Sequence, residues 1–257
     1  MFPDLSTIGS VTIHTYGLFL ALGLCGALLI TLKTGRAQGL RASEILDTAL
    51  VMIVSAIIGS RLMYVIMNYS YFALHPLRIL EVWQGGLVYS GGLIAAILTM
   101  SWYLKHSKLS FWETGDLWAP GLALGQGIGR IGCFMAGCCY GKPTDAWYGV
   151  VFNHPHSLAP LHLPLHPTQL YHSVSNFIIL GLLLSLRTKK KFSGQVFLWY
   201  LILHSTARLL IERFRGDNRG LIPGTTMTPT QLIALVLLLG AVLTLFILKS
   251  REKPRIS

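Results

Sequence analysis

Arg208 and Glu212 stand four residues apart in ARLLIERFRGD (207–217), the spacing that puts two side chains on one face of a helix. His204 lies one turn earlier on that face, and Arg215 follows Glu212 within the next turn. A guanidinium offers five donors in a fixed fork that matches a carboxylate or a phosphate. The pair therefore has two readings. One is an internal ion pair that locks helices together; the other is an anion-binding site whose arginine is held by a carboxylate. Another arginine stands in GRIGCFMAGCCYG (129–141). Gly129 and Gly132 flank Arg130, and this stretch is read as a turn whose bare amides and guanidinium hold an anion such as a phosphate. No βαβ pattern surrounds it, so it is not a dinucleotide fingerprint.

Cys133, Cys138 and Cys139 share that stretch, and Cys25 stands far from them in sequence. The C-x4-C-C spacing matches no zinc or haem pattern. A disulfide among the three is open in an oxidising compartment, as is a plain role as small apolar residues in a tight turn. His154, His156, His162, His166 and His172 show no regular ligand spacing, and few carboxylates accompany them. No metal and no cofactor is expected. His166 belongs to HPTQ (166–169), which opens an apolar segment, and Thr168 is read as that segment's helix N-cap.

The elements that must position these groups are oily. The chain has 257 residues, 53% of them hydrophobic and 12% charged, with a mean hydropathy of +0.57. Soluble domains are about a quarter charged. The expected class is an all-α integral membrane protein, one transmembrane helical domain over residues 1–257. Seven apolar segments can be drawn, near 14–32, 45–67, 87–104, 117–135, 168–186, 195–213 and 231–248, against the roughly 20 residues a span needs. The fourth is Gly-rich and weakly apolar. The second carries Arg61, and the sixth carries His204, Arg208 and Glu212. A charge at membrane depth costs at least about 2.5 kcal/mol, so such residues usually face a protein interior or water and mark function.

The net charge of +11 would suit nucleic acid, but its placement argues for a membrane and against nucleic acid. Lys33, Arg36 and Arg41 follow the first segment, and Lys105 and Lys108 the third. Arg187, Lys189, Lys190 and Lys191 follow the fifth, and Lys249, Arg251, Lys253 and Arg255 the seventh. The opposite loops hold few basic residues, chiefly Arg78, Lys142, Arg215 and Arg219. The positive-inside rule then puts the C-terminus in the cytoplasm and the N-terminus outside. The first Lys or Arg is Lys33, so no cleavable signal peptide is expected. The longest non-apolar stretch, 136–167, is read as an ordered outer loop in which WYGVVF (147–152) makes a short strand.

Five motifs in order then carry a resemblance. They are Tyr16-Gly17, WQGGLVYSGGLI (83–94), GQGIGRIGCFMAGCCYG (125–141), HPTQLY (166–171) and ARLLIERFRGD (207–217). Together, over most of the chain, they resemble the prolipoprotein diacylglyceryl transferase family. The resemblance implies a bacterial inner-membrane enzyme that needs no cofactor and works toward the outer face. It would move a diacylglyceryl group from phosphatidylglycerol to the lipobox cysteine of a prolipoprotein, recognised through its signal peptide, and release glycerol phosphate. Arg130 matches the family's signature arginine, and Arg208 and Glu212 match the arginine and glutamate of the sixth span. Tyr16, Gly17, Gly91, Gly92, Gly141, His166 and Gln169 fall on positions expected to bind substrate, with Arg215 beside them.

The departures bear on chemistry. Ser90 stands where the family often has the histidine of a His-Gly-Gly arrangement. Cys133 and Cys138 stand where it often has Asn and Glu, and His204 replaces a tyrosine. One reading is a divergent branch with the same reaction; another is a paralogue that is inactive or uses a different acceptor. If a base is needed, His204 is the candidate and His166 the second. A thiol–disulfide oxidoreductase using Cys133, Cys138 and Cys139 is the main rival class, although no C-x-x-C is present. A transporter ranks below it, because no inverted repeat is visible.

Overall fold

The computed structural model describes residues 2–8, 11–107, 109–217, 220–222 and 224–251. Lys108, Arg219, Lys253 and Arg255, counted above among the topology charges, lie outside the described residues. The chain opens on an antiparallel hairpin, β1 (Asp4–Ile8) and β2 (Val11–His14). Helices follow: α1 (Thr15–Arg36), α2 (Ala42–Met67), a short α3 (Tyr69–Leu74), α4 (Tyr89–His106), α5 (Phe111–Ala136), α6 (Thr168–Arg187), α7 (Gln195–Glu212) and α8 (Pro229–Arg251). Four of them are long and apolar enough to cross a membrane: Thr15–Arg36, Ala42–Met67, Thr168–Arg187 and Pro229–Ser250. Leu239, Leu243 and Phe246 stand exposed along α8. A soluble protein seldom shows that much apolar surface; a lipid-facing one does.

The chain divides into two compact units, Leu32–Thr114 and the remainder, Met1–Thr31 with Gly115–Ser257. In the Leu32–Thr114 unit, α2 and α4 pack through small residues. A Cβ added at Gly91 would lie 2.4 Å from the Gly59 carbonyl oxygen, and one at Gly92 2.8 Å from that of Ala56. Such backbone approach is the membrane-helix alternative to hydrophobic burial. Arg61 does not snorkel. It is buried and donates to the carbonyls of Ile79 (2.9 Å), Gly85 (2.8 Å) and Arg78, pinning the two 3-10 turns Pro76–Leu80 and Val82–Gln84.

In the other unit, α5, α6 and α7 share a core of Ala119, Ala123, Ile179, Leu183, Val196 and Tyr200. Asp116 ties α7 to α5 by accepting the amides of Gly194 and Phe197, both at 2.8 Å. That satisfies amides at the helix start which have no partner within the helix. The segment between α5 and α6 is ordered, as expected. Strand β3 (Val150–Val151) pairs with β4 (Pro164–Leu165) over buried Phe152, Ala159 and Leu165.

One expectation fails here. Gly129–Gly132 is not a turn but part of α5, which runs unbroken to Ala136 with Pro120 inside it. Glycine disfavours a helix by about 1 kcal/mol per residue, but tertiary packing overrides it. A Cβ at Gly132 would lie 2.8 Å from Phe19 Cβ on α1. That glycine lets α1 approach α5; it does not free amides for an anion.

Candidate active site

The polar groups of this unit gather where the first turn of α1, the end of α5, the start of α6, the end of α7 and the start of α8 meet the 137–167 segment. Helix α5 stops at Gly137, whose left-handed φ of 74° lets its amide bond back to Phe134 at 3.2 Å. Cys139 is also left-handed, φ 62°. A non-glycine residue pays for that conformation, so the surroundings must hold it. They do so from the start of α6. Gln169 Nε2 donates to the Cys138 carbonyl at 2.8 Å, and Thr168 Oγ1 to the Cys139 carbonyl at 2.7 Å. Thr168 is therefore not the N-cap of α6; Pro167 occupies that position, and the threonine hydroxyl is used across the chain.

The HPTQ run thus reads as a clamp on the cysteine turn. Gly141 completes it. Its amide donates to the His166 carbonyl (3.0 Å), and Lys142 N reaches the Phe214 carbonyl at 2.8 Å. His166 Nδ1 lies 3.0 Å from the Tyr171 hydroxyl, and its ring meets those of Tyr148 and Phe214. Arg215, just past α7, is buried and grips Asp217 with two bonds of 2.8 and 2.6 Å.

Arg208 and Glu212 do form their pair, Nη2 to Oε2 at 3.2 Å, both buried. Glu212 Oε1 accepts hydroxyl bonds from Thr228 (3.0 Å) and Thr230 (2.8 Å) at the start of α8. Arg208 Nη1 donates to His172 Nε2 at 3.2 Å. His172 and the two threonines were not singled out from sequence; only the crowding of histidines around 166–172 signalled the first. His204 Nδ1 lies 3.3 Å from Asn176 Oδ1. The amide of Asn176 is oriented by its Nδ2, which donates to the His172 carbonyl at 2.7 Å. The oxygen therefore faces His204, which makes Nδ1 the protonated nitrogen and leaves the lone pair on Nε2. The ring stacks on Tyr200, 5.6 Å between centroids.

The positive charge of Arg130 reaches Cys133, Cys139, His172 and His204, so the signature arginine lies within electrostatic range of both the cysteine turn and the histidines of α6 and α7. None of the four cysteines is in a disulfide. Cys133, Cys138 and Cys139 bring their sulfurs within 4.8 Å of one another, a cluster that the sequence spacing did not foretell. Cys138 also lines a cavity of about 580 Å³ with Tyr16, His14, His156 and Leu158. Buried polar atoms without a hydrogen-bond partner include Gln126 Oε1, Gln169 Oε1 and Arg215 Nη1, donors and acceptors suited to a polar ligand. Gly17 follows Tyr16 in the first turn of α1 with open space around it. Ser90, Gly91 and Gly92 lie in the Leu32–Thr114 unit at the start of α4; Ser90 is exposed there and both glycines pack on α2.

These features define a multi-pass membrane protein that gathers arginines, an acidic partner and thiols at one end of its helices. The profile of the family described as "Prolipoprotein diacylglyceryl transferase" matches residues 3–247, and the chain belongs to that family. A phosphatidylglycerol–prolipoprotein diacylglyceryl transferase of Clostridium tetani is 36% identical over 91% of this chain and 93% of its own. A second from Clostridium perfringens is 34% identical, covering 93% and 92%. One from Bacillus licheniformis is also 34% identical, covering 98% and 95%.

Proposed function

We propose that this chain transfers a diacylglyceryl group from phosphatidylglycerol to the lipobox cysteine thiol of prolipoproteins, forming a thioether and releasing glycerol phosphate. The observation that carries the reading is the buried Arg208, held by Glu212 and His172 in the unit that contains Arg130 and Arg215. The donor's phosphate is anionic, and fixed guanidinium forks bind it through charge-assisted bonds. They also stabilise the charge that grows on the leaving phosphate as the glyceryl carbon–oxygen bond breaks. Arg130 and Arg208 take this role, with Glu212 orienting Arg208. His204 accepts the proton of the acceptor thiol, because its Nε2 keeps the lone pair. In the unit that holds Arg208, Tyr16, Gly17, Cys133, Cys138, Gly141, His166, Gln169 and Arg215 shape the places for lipid and signal peptide; within the Leu32–Thr114 unit, Ser90, Gly91 and Gly92 take the substrate-binding role by themselves.

The chain works as a single transmembrane domain; the family match, which runs through both compact units, supports this. Helices α1, α2, α4, α5, α6, α7 and α8 are the seven spans. Outside the apolar four, α5 carries Gln126 and Arg130, α7 carries His204 and Glu212, and the shorter α4 ends on Lys105 and His106. Lys33 and Arg36 close α1 and Arg187 closes α6, each at the end away from Tyr16 and Gln169. With the positive-inside rule, the basic ends are cytoplasmic, the N-terminus is outside, and the site faces the outer side of the bacterial inner membrane. Retention of the arginines and the glutamate favours transfer over a thiol oxidoreductase or an inactive paralogue.

Complementation tests the reading. A bacterium depleted of its own transferase and supplied with this chain should attach radiolabelled lipid to a model prelipoprotein. Stable membrane expression without labelling would overturn the assignment.

A further inference from the structure

The cysteine cluster has the geometry of a ligand set. Cys133 comes from the last turn of α5. Two left-handed residues, Gly137 and Cys139, reverse the chain so that all three sulfurs fall within 4.8 Å of one another. The turn is fixed from outside by Gln169 and Thr168 through the Cys138 and Cys139 carbonyls. Ligands held in place by such outer contacts bind metal best.

Three thiolates are soft donors and select thiophilic ions. Zinc–sulfur bonds of about 2.3 Å in a tetrahedron place sulfurs roughly 3.8 Å apart, inside the observed limit. The cluster comprises these three groups, with no fourth His, Cys, Asp or Glu ligand among the described residues. Structural zinc sites are closed by four protein ligands, whereas catalytic ones have three and leave the fourth position open. Here the fourth position has an approach, since Cys138 lines the cavity beside Tyr16. Three thiolates on a divalent ion leave one negative charge, and Arg130 stands one helical turn before Cys133 on α5.

We propose that Cys133, Cys138 and Cys139 bind one zinc ion, and that its open position takes the acceptor cysteine as a thiolate. This rests on the transferase reading and supplies what the Ser90 departure removes, a means of deprotonating the acceptor. A thiol that coordinates zinc loses its proton, which water carries to His204, the proton acceptor of the transferase reading. The bound sulfur keeps a lone pair and attacks the glyceryl carbon. The new sulfur–carbon bond forms as the carbon–oxygen bond to phosphate breaks, and that electron pair leaves on the phosphate oxygen. No electrons are exchanged with the metal. The thioether product is a weaker ligand than the thiolate and departs.

The full-length chain, purified in detergent with reductant and without added metal, should contain about one zinc ion per chain by elemental analysis. Each of C133S, C138S and C139S should lower that content roughly tenfold or more, and C25S should leave it unchanged. Replacing zinc by cobalt(II) in the unaltered chain should give thiolate charge-transfer bands. These bands should change on adding a lipobox peptide and not on adding its serine counterpart. Stripping zinc should abolish transfer to the peptide, and zinc should restore it. The proposal falls if metal content is no higher than in the triple serine variant with no cobalt spectrum, if copper replaces zinc, or if the active enzyme holds these cysteines in a disulfide. Full transfer by the zinc-free chain would also overturn it. A metal-loaded chain that responds to the peptide yet transfers no lipid would instead sink the transferase reading. Should the serine variants fail to accumulate, the cobalt measurement on the unaltered chain decides.

Discussion

Arg208 Nη2 lies 3.2 Å from Glu212 Oε2, one turn along α7, and the two threonine hydroxyls at the start of α8 close on the other carboxylate oxygen. A buried charge that loses its partner is left uncompensated at a cost of about 3 kcal/mol or more. Glu212→Gln keeps the shape and removes the charge. It should lower the unfolding temperature in detergent and reduce transfer, because Arg208 is no longer oriented. A variant with unchanged melting and unchanged transfer would show that the carboxylate charge does neither job.

Arg130 does not sit in an exposed anion-binding turn but on a helix, so its guanidinium, not the backbone around it, must carry the anion role. Arg130→Ala should cost transfer on the order of 10²- to 10³-fold, the size seen when one group stabilising a transition state is removed. Arg130→Lys should recover little, since it lacks the planar fork. The comparison is made in steady-state transfer to a lipobox peptide, and full activity with lysine would rule out bidentate binding.

His204 stacks on Tyr200 and donates a hydrogen bond from Nδ1 to Asn176 Oδ1. Phenylalanine retains the stacking and removes the lone pair of Nε2. His204→Phe should therefore insert and fold normally, yet lose transfer. Membrane yield and melting separate this from misfolding. Normal transfer by the variant would exclude His204 as the proton acceptor.

Much of this organisation was legible as periodicity. The apolar segments drawn at 45–67 and 195–213 became α2, Ala42–Met67, and α7, Gln195–Glu212. The four-residue spacing of Arg208 and Glu212 gave their pairing. What stayed hidden depends on contacts between distant residues. His172 meets Arg208 only once α6 packs on α7. The three sulfurs meet only because two residues turn left-handed and α6 holds their carbonyls. The N-terminal hairpin is too short to show a pattern. Gly129–Gly132 misled because local propensity favours a turn there, whereas α1 needs a small residue at 132.

Two glycines of the same signature should behave oppositely. A Cβ at Gly129 meets nothing within 4 Å, while one at Gly141 would lie 2.5 Å from both Cβ and O of His166 and 2.8 Å from the Phe214 carbonyl. Gly129→Ala should stabilise the chain by up to about 1 kcal/mol, the helix-propensity gain. Gly141→Ala meets backbone that cannot yield and should destabilise the crossing of the 140–142, 166 and 214–216 segments. Melting of the two variants in the same detergent checks this, and equal effects would contradict the packing described.

Asp4 links the N-terminal hairpin to the segment after α5, with His14 Nδ1 2.9 Å from one carboxylate oxygen and His156 Nδ1 on the other. The His156 hydrogen bond first, and then that of His14, hold the Asp4 carboxyl below its ordinary value of 3.8. A depressed carboxyl contributes stability that is present above the ordinary value and is lost as pH falls through the depressed one. The link should therefore keep its carboxylate from neutral pH down through the ordinary carboxylate range and lose it only in stronger acid. Hydrogen exchange of the β1 and β2 amides, followed against pH, measures this. Asp4→Asn should expose those amides already at neutral pH, and equal protection in the variant would show that the hairpin is held by its own strand pairing alone.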